Sequence, residues 1–315
     1  MQYTNLGSTG TKVSRVCLGC MTYGSKKWRE WVLEEEEGRP FIKRALELGI
    51  NFFDTADMYS LGVSEQILGR ALKDFGPSRD RLVIATKVGM EMPGVGKGLR
   101  AARIRQAVEA SLARLQVDRI DLYQAHAEDP DTPIEETLEA FDRLVRDGKV
   151  RAIGASNYAA PALAKALSVS AGRGWARYAT LQPRYNLYSR AEFERDLQPL
   201  CVREGIGVIP YYGLASGFLT GKYRSEADLA QSARGAAVKQ YLDERGMRIL
   251  QALDEVAREA RAKPAQVALA WLMARPAITA PIASATTLAQ LRELMAAADL
   301  ALDATSLARL DRASG

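Results

Sequence analysis

Residues 50–60 read INFFDTADMYS. The first four positions are mostly large and apolar, which is typical of a buried strand. The strand ends in an acid, Asp54, and a phenol, Tyr59, follows five residues later. In a barrel of parallel strands, catalytic groups come from the C-terminal strand ends and the loops after them. Asp54 and Tyr59 are therefore the first candidates for a reaction centre, provided that other strand ends supply partners.

The rest of the chain repeats a short apolar run followed by a longer amphipathic stretch. Helical spacing of apolar residues marks those stretches, for example at Ile104, Val108 and Leu112. Alternating strands and helices predict a parallel sheet with helical crossovers, and eight strands close a TIM barrel. We predict one (β/α)8 TIM-barrel domain over residues 1–315, with an N-terminal β-hairpin in residues 1–13. The eight predicted strands are residues 16–18, 50–53, 82–86, 120–124, 150–155, 178–181, 207–210 and 279–283.

A doubly wound sheet is the competing arrangement, and its dinucleotide-binding form places G-x-G-x-x-G after an early strand. No such run follows residues 16–18, and the glycines at 94, 96 and 98 lack that spacing. The barrel is therefore favoured. Residues 20–39 and 212–239 are predicted as long loops on the side where the strands end, and long loops in compact domains are usually functional.

Composition describes an ordinary globular chain, with 47% hydrophobic and 26% charged residues. The net charge of +5 is spread along the sequence, which disfavours a nucleic-acid partner. This mild basicity suits a phosphate-bearing ligand and a plain solvated surface equally well. The apolar runs are too short for a membrane span and the N-terminus lacks the apolar core of a signal peptide, so we expect a cytoplasmic protein.

The three cysteines, Cys17, Cys20 and Cys201, are too few for a disulfide framework. Cys17 and Cys20 have the spacing of a dithiol motif, but they follow a strand and open no recognisable helix. A packing role is therefore favoured. A zinc site is disfavoured because the chain has one histidine.

Polar residues end the predicted strands, whereas the residues before them are mostly apolar. A core-only explanation does not predict such a ring of hydrogen-bonding groups in one layer. Taken singly, each has a structural explanation, as a satisfied core histidine, a turn-forming aspartate or an exposed lysine. Their convergence on one face of a barrel favours chemistry. The residues are Asp54, Lys87, His126, Ser156, Asn157, Gln182, Tyr211 and Ser284.

Four residues form a chemical set. Tyrosine has a pKa of about 10, and a nearby ammonium lowers it by stabilising the phenolate. Lys87 can supply that ammonium to Tyr59 if Asp54 orients it. His126 can complete a hydrogen-bonded site around a substrate oxygen. Such a group would protonate the alkoxide that forms from a carbonyl, which is general acid catalysis worth about 10²–10⁴-fold.

Several motifs surround these residues along the chain. They are NFFDTA at 51–56 with Tyr59, GVSEQILG at 62–69, ATK at 85–87, DRIDLYQAH at 118–126, GASN at 154–157, LQPRYNL at 181–187 and GFLTGKY at 217–223. These motifs resemble those of the aldo-keto reductase family, in the same order, and the similarity extends from Leu6 to about Leu294. The resemblance implies a TIM barrel and NADPH-dependent reduction of aldehydes or ketones. It implies Tyr59 as the general acid, tuned by Lys87 and Asp54, and His126 as the group that orients the carbonyl.

The same resemblance implies a set of cofactor contacts along the strand ends and the loops after them. Those at the nicotinamide end are Ser156, Asn157 and Gln182 on the carboxamide, Tyr211 stacked on the ring, and Asp54, Cys20 and Met21 beside it. Those along the phosphates are Leu214, Ala215, Ser216, Lys222 and Arg234. Those at the adenine end are Ser284, Thr286, Gln290 and Glu293.

The adenine-end motif departs from the family pattern. Thr286 stands where relatives often have Arg or Ser, and Leu294 replaces an Asn that usually contacts adenine. Loss of an arginine weakens bidentate binding of a 2′-phosphate. NADH therefore stays open beside NADPH, although Lys222 and Arg234 can supply positive charge.

The substrate itself is not encoded in a recognisable motif. Trp28, Trp31 and Tyr212 predict an aromatic mouth suited to hydrophobic carbonyls, but the two tryptophans would equally well cover the barrel rim. A second hypothesis is a nucleotide-sensing interaction subunit that resembles potassium-channel β-subunits, which keep the reductase fold; the intact tetrad argues against it. An isomerase or lyase on the same barrel is a third. The oligomeric state is not readable from the sequence.

Overall fold

The chain begins with an antiparallel hairpin of β1 (Tyr3–Asn5) and β2 (Lys12–Ser14) and continues into a sheet of eight parallel strands. The computed structural model describes residues 1–232 and 235–315. From the first to the seventh sheet strand, each strand pairs with the next one along the chain, and the eighth pairs with the first. The strands are β3 (Cys17–Gly19), β4 (Phe52–Asp54), β5 (Val83–Val88), β6 (Ile120–Ala125), β7 (Val150–Ser156), β8 (Tyr178–Gln182), β9 (Gly207–Val208) and β10 (Ile282–Ala283).

Hydrogen bonds also join the two remaining edges of this sheet. The backbone N–H of Thr279 donates to the carbonyl of Val208 at 2.8 Å, and that of Ile282 donates to Pro210 at 2.9 Å. These bonds link the chain around β9 to the segment that leads into β10. The sheet therefore curls back on itself, and the predicted TIM barrel with its N-terminal hairpin is confirmed.

Helices cross between the strands and cover the outside of the sheet. The apolar stripe predicted for the third of them is buried, at Ile104, Val108 and Leu112. Within the described residues, no helix is both long and apolar enough to cross a bilayer. The helices are α1 (Glu35–Glu47), α2 (Val63–Phe75), α3 (Ala101–Leu115), α4 (Ile134–Arg146), α5 (Ala160–Arg173), α6 (Gln198–Glu204), α7 (Gly235–Val238), α8 (Glu244–Glu259), α9 (Pro264–Met273), α10 (Leu288–Ala296) and α11 (Ala304–Ser314).

The two segments predicted as long loops contain more helix than expected. Helix α1 begins inside the first of them, where the backbone N–H of Glu34 donates to the Glu37 carboxylate at 3.1 Å. The second contains the 3₁₀ helices Ala215–Thr220 and Glu226–Gln231 as well as α7. The sequence did not indicate the 3₁₀ helices of the second segment because 3₁₀ turns are too short to show a periodic apolar pattern.

The N-terminal hairpin closes one end of the barrel. Leu6 and Val13 from the hairpin pack in one buried cluster with Phe52, Ala85 and Leu122, which lie on the strands. Because side chains alternate between the two faces of a strand, these three strand residues mark the positions that face the barrel interior. The interior is therefore filled below the polar layer, and access to that layer is from the C-terminal ends of the strands.

All three cysteines are buried and free. Burial raises the pKa of the Cys17 and Cys20 thiols above their ordinary value, and it raises that of Cys201 to about 12. The thiols therefore stay protonated at neutral pH. This agrees with the packing role predicted for them.

Candidate active site

The polar layer begins two residues beyond the interior apolar residues. Asp54 follows Phe52 on β4, and Lys87 follows Ala85 on β5. Since strand side chains repeat with a period of two, both polar side chains point into the C-terminal end of the barrel. The register of the sheet pairs Asp54 with Ala85, so the two polar groups lie on neighbouring strands at adjacent levels.

The Lys87 ammonium is the centre of this layer and is fully buried. It donates to the Asp54 carboxylate at 2.6 Å, to the backbone carbonyl of Thr55 at 2.7 Å and to the Tyr59 hydroxyl at 3.3 Å. Three acceptors use all three donors of an ammonium. Burial by itself would lower the pKa of Lys87, but the Asp54 carboxylate and the Tyr59 oxygen together raise it, so the group is a cation.

The Asp54 carboxylate is held from a second side by two amides. Its other oxygen accepts from Gln182 at 2.9 Å and from Gln124 at 3.2 Å. Gln182 was expected to contact a cofactor, and this bond gives it a second partner. Gln124 was missed from the sequence, although its position two residues before His126 on the same strand places it on the same face. Four hydrogen-bonding groups thus fix the Lys87–Asp54 pair in one geometry.

Tyr59 lies between this pair and open space, with its side chain partly buried. Burial raises the pKa of the phenol above its ordinary value and outweighs the opposing attraction of the Lys87 ammonium. The expected net lowering of the pKa was therefore wrong, because the same barrel wall that holds Lys87 also removes water from the phenol. At neutral pH the phenol carries its proton and can donate it.

His126 stands beside Tyr59, with ring centroids 5.8 Å apart and an interplanar angle of 80°. Burial first, and then the Lys87 ammonium, lower the pKa of the imidazole well below its ordinary value. The ring is neutral at physiological pH and offers one N–H and one lone pair. The Asn157 side chain donates to the backbone carbonyl of His126 at 2.9 Å, which fixes the end of that strand.

Tyr59, Asp54 and His126 form part of the wall of a cleft of about 680 Å³. This volume lies within the range of about 300–1,000 Å³ that is typical of small-molecule sites. Most of the residues assigned to cofactor or substrate from the sequence line it. They are Met21, Trp28, Trp31, Ser156, Asn157, Gln182, Tyr211, Tyr212, Leu214, Ser216, Lys222, Ser284, Thr286, Gln290 and Glu293.

Three assigned residues do not present their side chains to the cleft. Cys20 and Ala215 are completely buried, and Lys87 lies behind Tyr59. Arg234 lies outside the described residues. Arg29, Met58 and Met90 line the cleft but were not singled out, because no local pattern distinguishes them from ordinary loop residues.

The amides and hydroxyls at the strand ends form a connected group. Ser156 donates to the backbone carbonyl of Gln182 at 3.0 Å, and Asn157 donates to Ser156 at 3.1 Å. The Tyr211 hydroxyl donates to the Asn157 side-chain oxygen at 2.7 Å, which leaves a partly exposed tyrosine face on the cleft wall. An oriented amide set beside an aromatic face fits a flat ring that bears a carboxamide.

Lys222 lines the cleft near a backbone segment that has left-handed φ values. Ser216 and Gly217 have φ values of 58° and 97°. Lys222 packs beside Gly217 and over the ring of Tyr223 at 4.9 Å, and among the described residues it makes no ion pair. Left-handed turns expose backbone N–H groups. An ammonium beside such a turn fits a phosphate group.

The residues expected at the adenine end are partly bonded to one another. Ser284 donates to the Thr22 hydroxyl at 2.8 Å, and Thr286 donates to the Gln290 side-chain oxygen at 3.1 Å. Thr287 caps helix α10 by accepting from the backbone N–H of Gln290. This end of the cleft is therefore built on a helix start whose polar side chains are already ordered.

Aromatic side chains line the opposite approach to Tyr59. The ring of Trp28 lies 6.2 Å from the ring of Tyr59 and 6.4 Å from that of Trp31. Both tryptophans line the cleft, and the Trp28 ring lies beside the phenol. Tyr212 also lines it, with its ring 43% exposed and edge-on to Tyr211 at 5.1 Å.

The sequence model described as "Aldo/keto reductase family" matches residues 15–314. The chain belongs to the aldo-keto reductase family. Membership supports an oxidoreductase that reduces carbonyl compounds with a nicotinamide cofactor.

Individual aldo-keto reductases are similar over nearly their whole length. Versiconal hemiacetal acetate reductase of Aspergillus parasiticus is 36% identical, over 96% of this chain and 94% of that protein. The Bacillus subtilis (strain 168) protein named uncharacterized oxidoreductase YrpG is 37% identical, over 99% and 95%. A probable voltage-gated potassium channel subunit beta of Arabidopsis thaliana is 33% identical, over 95% and 92%.

In this aldo-keto reductase, the backbone just after Tyr59 is strained. Ser60 and Leu61 have φ values of 50° and 54°, in the left-handed region, and Gly62 follows at 92°. Such conformations cost about 1–2 kcal/mol for each residue that is not glycine. A Cβ atom at Gly62 would lie 2.6 Å from the Arg114 side chain, so glycine is required there. Ser60 also accepts from the backbone N–H of Ser25 at 3.0 Å.

Buried ion pairs flank the strained turn on both sides. After it, Glu65 is completely buried and accepts from Arg114 at 2.7 Å and from Thr86 at 2.6 Å. Before it, Asp57 accepts from Arg103 at 2.9 Å, with side-chain exposures of 1% and 9%. Both arginines belong to α3. The turn that carries Tyr59 is thus fastened to α3 at two points.

Asp57 is expected to make stability depend on pH. Burial raises the pKa of this carboxyl to about 6 against the pull of Arg103, and its second oxygen has no hydrogen-bond partner among the described residues. The unfolded value is about 3.9. Because the folded chain binds this proton more tightly, the contribution of Asp57 to stability is full below about pH 4 and is lost as the pH rises through about 6.

The Asp57→Asn variant tests this dependence because an amide does not titrate. The measured quantity is the difference between the free energies of unfolding of the native chain and of the variant. This difference should decrease by about 2–3 kcal/mol between pH 4 and pH 7. Urea unfolding at each pH measures it, and Asp131→Asn, which alters an exposed carboxylate, is the control. A difference that rises with pH over this range would contradict the expectation.

Proposed function

We propose that this aldo-keto reductase reduces an aldehyde or a ketone to the alcohol with NADPH, and that Tyr59 donates the proton to the carbonyl oxygen. One observation carries the proposal. The Tyr59 hydroxyl lies on the wall of a ligand-sized cleft, 3.3 Å from a buried ammonium. A protonated phenol with a fixed cation behind it is a general acid.

Lys87 and Asp54 act on the phenol from behind. When the proton leaves Tyr59, negative charge builds up on its oxygen, and the Lys87 ammonium is already in place to stabilise it. Asp54 keeps that ammonium in one orientation through its 2.6 Å contact. The stabilisation therefore requires no rearrangement during proton transfer.

His126 is proposed to orient the substrate. A neutral imidazole can donate one N–H to a carbonyl oxygen, and its edge-on position beside Tyr59 allows both groups to approach the same atom. Because the pKa of His126 is lowered, the ring does not compete with Tyr59 as the acid.

The cofactor proposal is NADPH, with NADH as the alternative. When bound, the nicotinamide supplies the hydride that reduces the carbonyl carbon. Ser156, Asn157 and Gln182 would hold its carboxamide, with the Tyr211 face against the ring. The remaining proposed contacts are Asp54 and Met21 near the ring, the backbone of Cys20 and Ala215, Leu214, Ser216, Lys222 and Arg234 along the phosphates, and Ser284, Thr286, Gln290 and Glu293 at the adenine end.

Trp28, Trp31 and Tyr212 are proposed as substrate contacts. Their rings stand on the cleft wall, where Trp28 contacts Tyr59, Trp31 contacts Trp28 and Tyr212 contacts Tyr211. Flat, apolar carbonyl compounds are the class that such a surface accommodates.

A panel of aldehydes and ketones, each tested with NADPH and with NADH, checks the proposal. We expect oxidation of the cofactor at 340 nm with a subset of aromatic carbonyls, and alcohol product in equal amount. Cofactor binding without turnover of any carbonyl would contradict the proposed reaction. No change in NADPH fluorescence on mixing would favour an isomerase or lyase on this barrel.

A nucleotide-sensing interaction subunit is the second candidate. The observation in its favour is the similarity to plant proteins named as probable channel subunits, at 33% identity. The set of Tyr59, Lys87, Asp54 and His126 argues against it, because an interaction subunit needs no proton donor. A pull-down that recovers a stoichiometric membrane-protein partner, together with no turnover in the panel, would select this candidate.

A further inference from the structure

One cationic side chain stands at the aromatic end of the cleft. The Arg29 guanidinium lies over the ring of Trp28 at 4.8 Å and near that of Trp31 at 5.9 Å. Trp28 in turn lies 6.2 Å from Tyr59. One indole ring therefore separates the guanidinium from the proposed proton donor.

The charge on Arg29 is not neutralised within the described residues. The Arg29 side chain makes no ion pair or hydrogen bond there, whereas that of Lys26 is paired with Glu37 at 2.8 Å. The nearest acids in the sequence, Glu30 and Glu34, do not line the cleft. The Asp54 carboxylate lines it but is already held by Lys87 and two amides.

The Arg29 guanidinium can bind a ligand through its N–H donors while it contacts the Trp28 ring. A cation–π contact of the guanidinium with the Trp28 ring uses no hydrogen-bond acceptor, so the N–H donors of Arg29 remain available to a ligand. Two such donors match the two oxygens of a carboxylate. Met58 and Met90 also line the cleft and provide adaptable apolar contact for the body of the ligand.

We propose that Arg29 is a specificity determinant that binds a carboxylate on an aromatic carbonyl substrate, with the carbonyl at Tyr59 and the ring against Trp28. The inference rests on the proposed function and adds the substrate class. The substrate is an aromatic aldehyde or ketone whose carboxylate stands across the ring from the carbonyl.

Two aldehydes of similar shape distinguish the effect of the substrate's charge from the effect of its ring and carbonyl. 4-Carboxybenzaldehyde is an anion at neutral pH, and methyl 4-formylbenzoate is its neutral ester. The measured quantity is the ratio of their kcat/KM values with NADPH. We expect a ratio above one in the native protein, lowered about tenfold by Arg29→Met, as for one hydrogen bond to a charged group. Added salt should lower the native ratio.

Lys27→Met is the matched control, since Lys27 is exposed, carries the same charge and does not line the cleft. It should leave the ratio within twofold of the native value. A readout without turnover is the dissociation constant of 4-(hydroxymethyl)benzoate, the alcohol product, followed by tryptophan fluorescence. Arg29→Met should weaken that binding by a similar factor.

The possible failures are distinguishable. Reduction of both aldehydes with a ratio that Arg29→Met does not change overturns this inference and leaves the proposed function standing. Reduction of neither aldehyde, with turnover of other carbonyls in the panel, overturns this inference alone, whereas no turnover of any carbonyl overturns the proposed function and this inference with it. A rise in the NADPH dissociation constant of Arg29→Met, with an unchanged ratio, assigns the guanidinium to a cofactor phosphate and also overturns it.

Discussion

Tyr59→Phe is expected to lower kcat for carbonyl reduction by about 10²–10⁴-fold, which is the usual contribution of a positioned general acid. Phenylalanine keeps the ring that contacts Trp28 and His126, so the shape of the cleft is retained. Only the hydroxyl that Lys87 contacts is lost. The NADPH dissociation constant, measured by fluorescence titration, should stay within about twofold of the native value because the proposed cofactor contacts are untouched.

Tyr3→Phe is the control, because its exposed hydroxyl donates to Gly49 on the hairpin side of the barrel. It should have native activity.

The pH profile adds an independent readout. Since the pKa of Tyr59 is raised and that of His126 is lowered, kcat/KM for reduction should show no inflection near pH 6.5. Near-native turnover of Tyr59→Phe would remove this residue from the proposed role.

Lys87→Met is expected to have the largest combined effect on activity and stability. It leaves the Asp54 carboxylate buried without a counter-ion, and removing one partner of a buried pair costs about 3–5 kcal/mol. Reduction should fall at least as far as in Tyr59→Phe, because the phenolate loses its stabilising cation. Urea unfolding measures the first effect and steady-state kinetics the second.

A double variant separates the two effects. Lys87→Met with Asp54→Asn removes both charges, so most of the lost stability should return while reduction stays abolished. The exposed pair of Lys149 with Glu109 is the comparison, and Lys149→Met should cost about 1 kcal/mol or less. If the double variant recovers reduction together with stability, Lys87 serves folding alone and the proposed mechanism fails.

The strands and the residues proposed to react were predicted from the sequence for the same reason. An apolar run that ends in a polar residue predicts both the position of a strand and the end of that strand that faces the open side of the barrel. Asp54, Lys87 and His126 each occupy such an end. Predicted bounds differ from those observed by a few residues, because hydrogen bonding rather than composition sets where a strand stops.

Other features depend on contacts between distant segments, and no local pattern reports them. The direction of the Tyr59 pKa shift is a balance between burial and the Lys87 charge, and only the folded structure sets that balance. Arg29 reaches the cleft because Trp28 packs near Tyr59. The buried pair of Asp57 with Arg103 joins residues 46 positions apart.

The buried thiols have a practical consequence for measuring conformational change. Alkylating and disulfide reagents attack thiolates, and Cys17, Cys20 and Cys201 are protonated and covered in the folded chain. Covalent labelling of any of them therefore requires local or global opening. Cys17 lies on the first barrel strand, Cys20 directly after it and Cys201 on helix α6, so mass spectrometry of labelled peptides would time the opening of two separate parts of one molecule without introducing a probe.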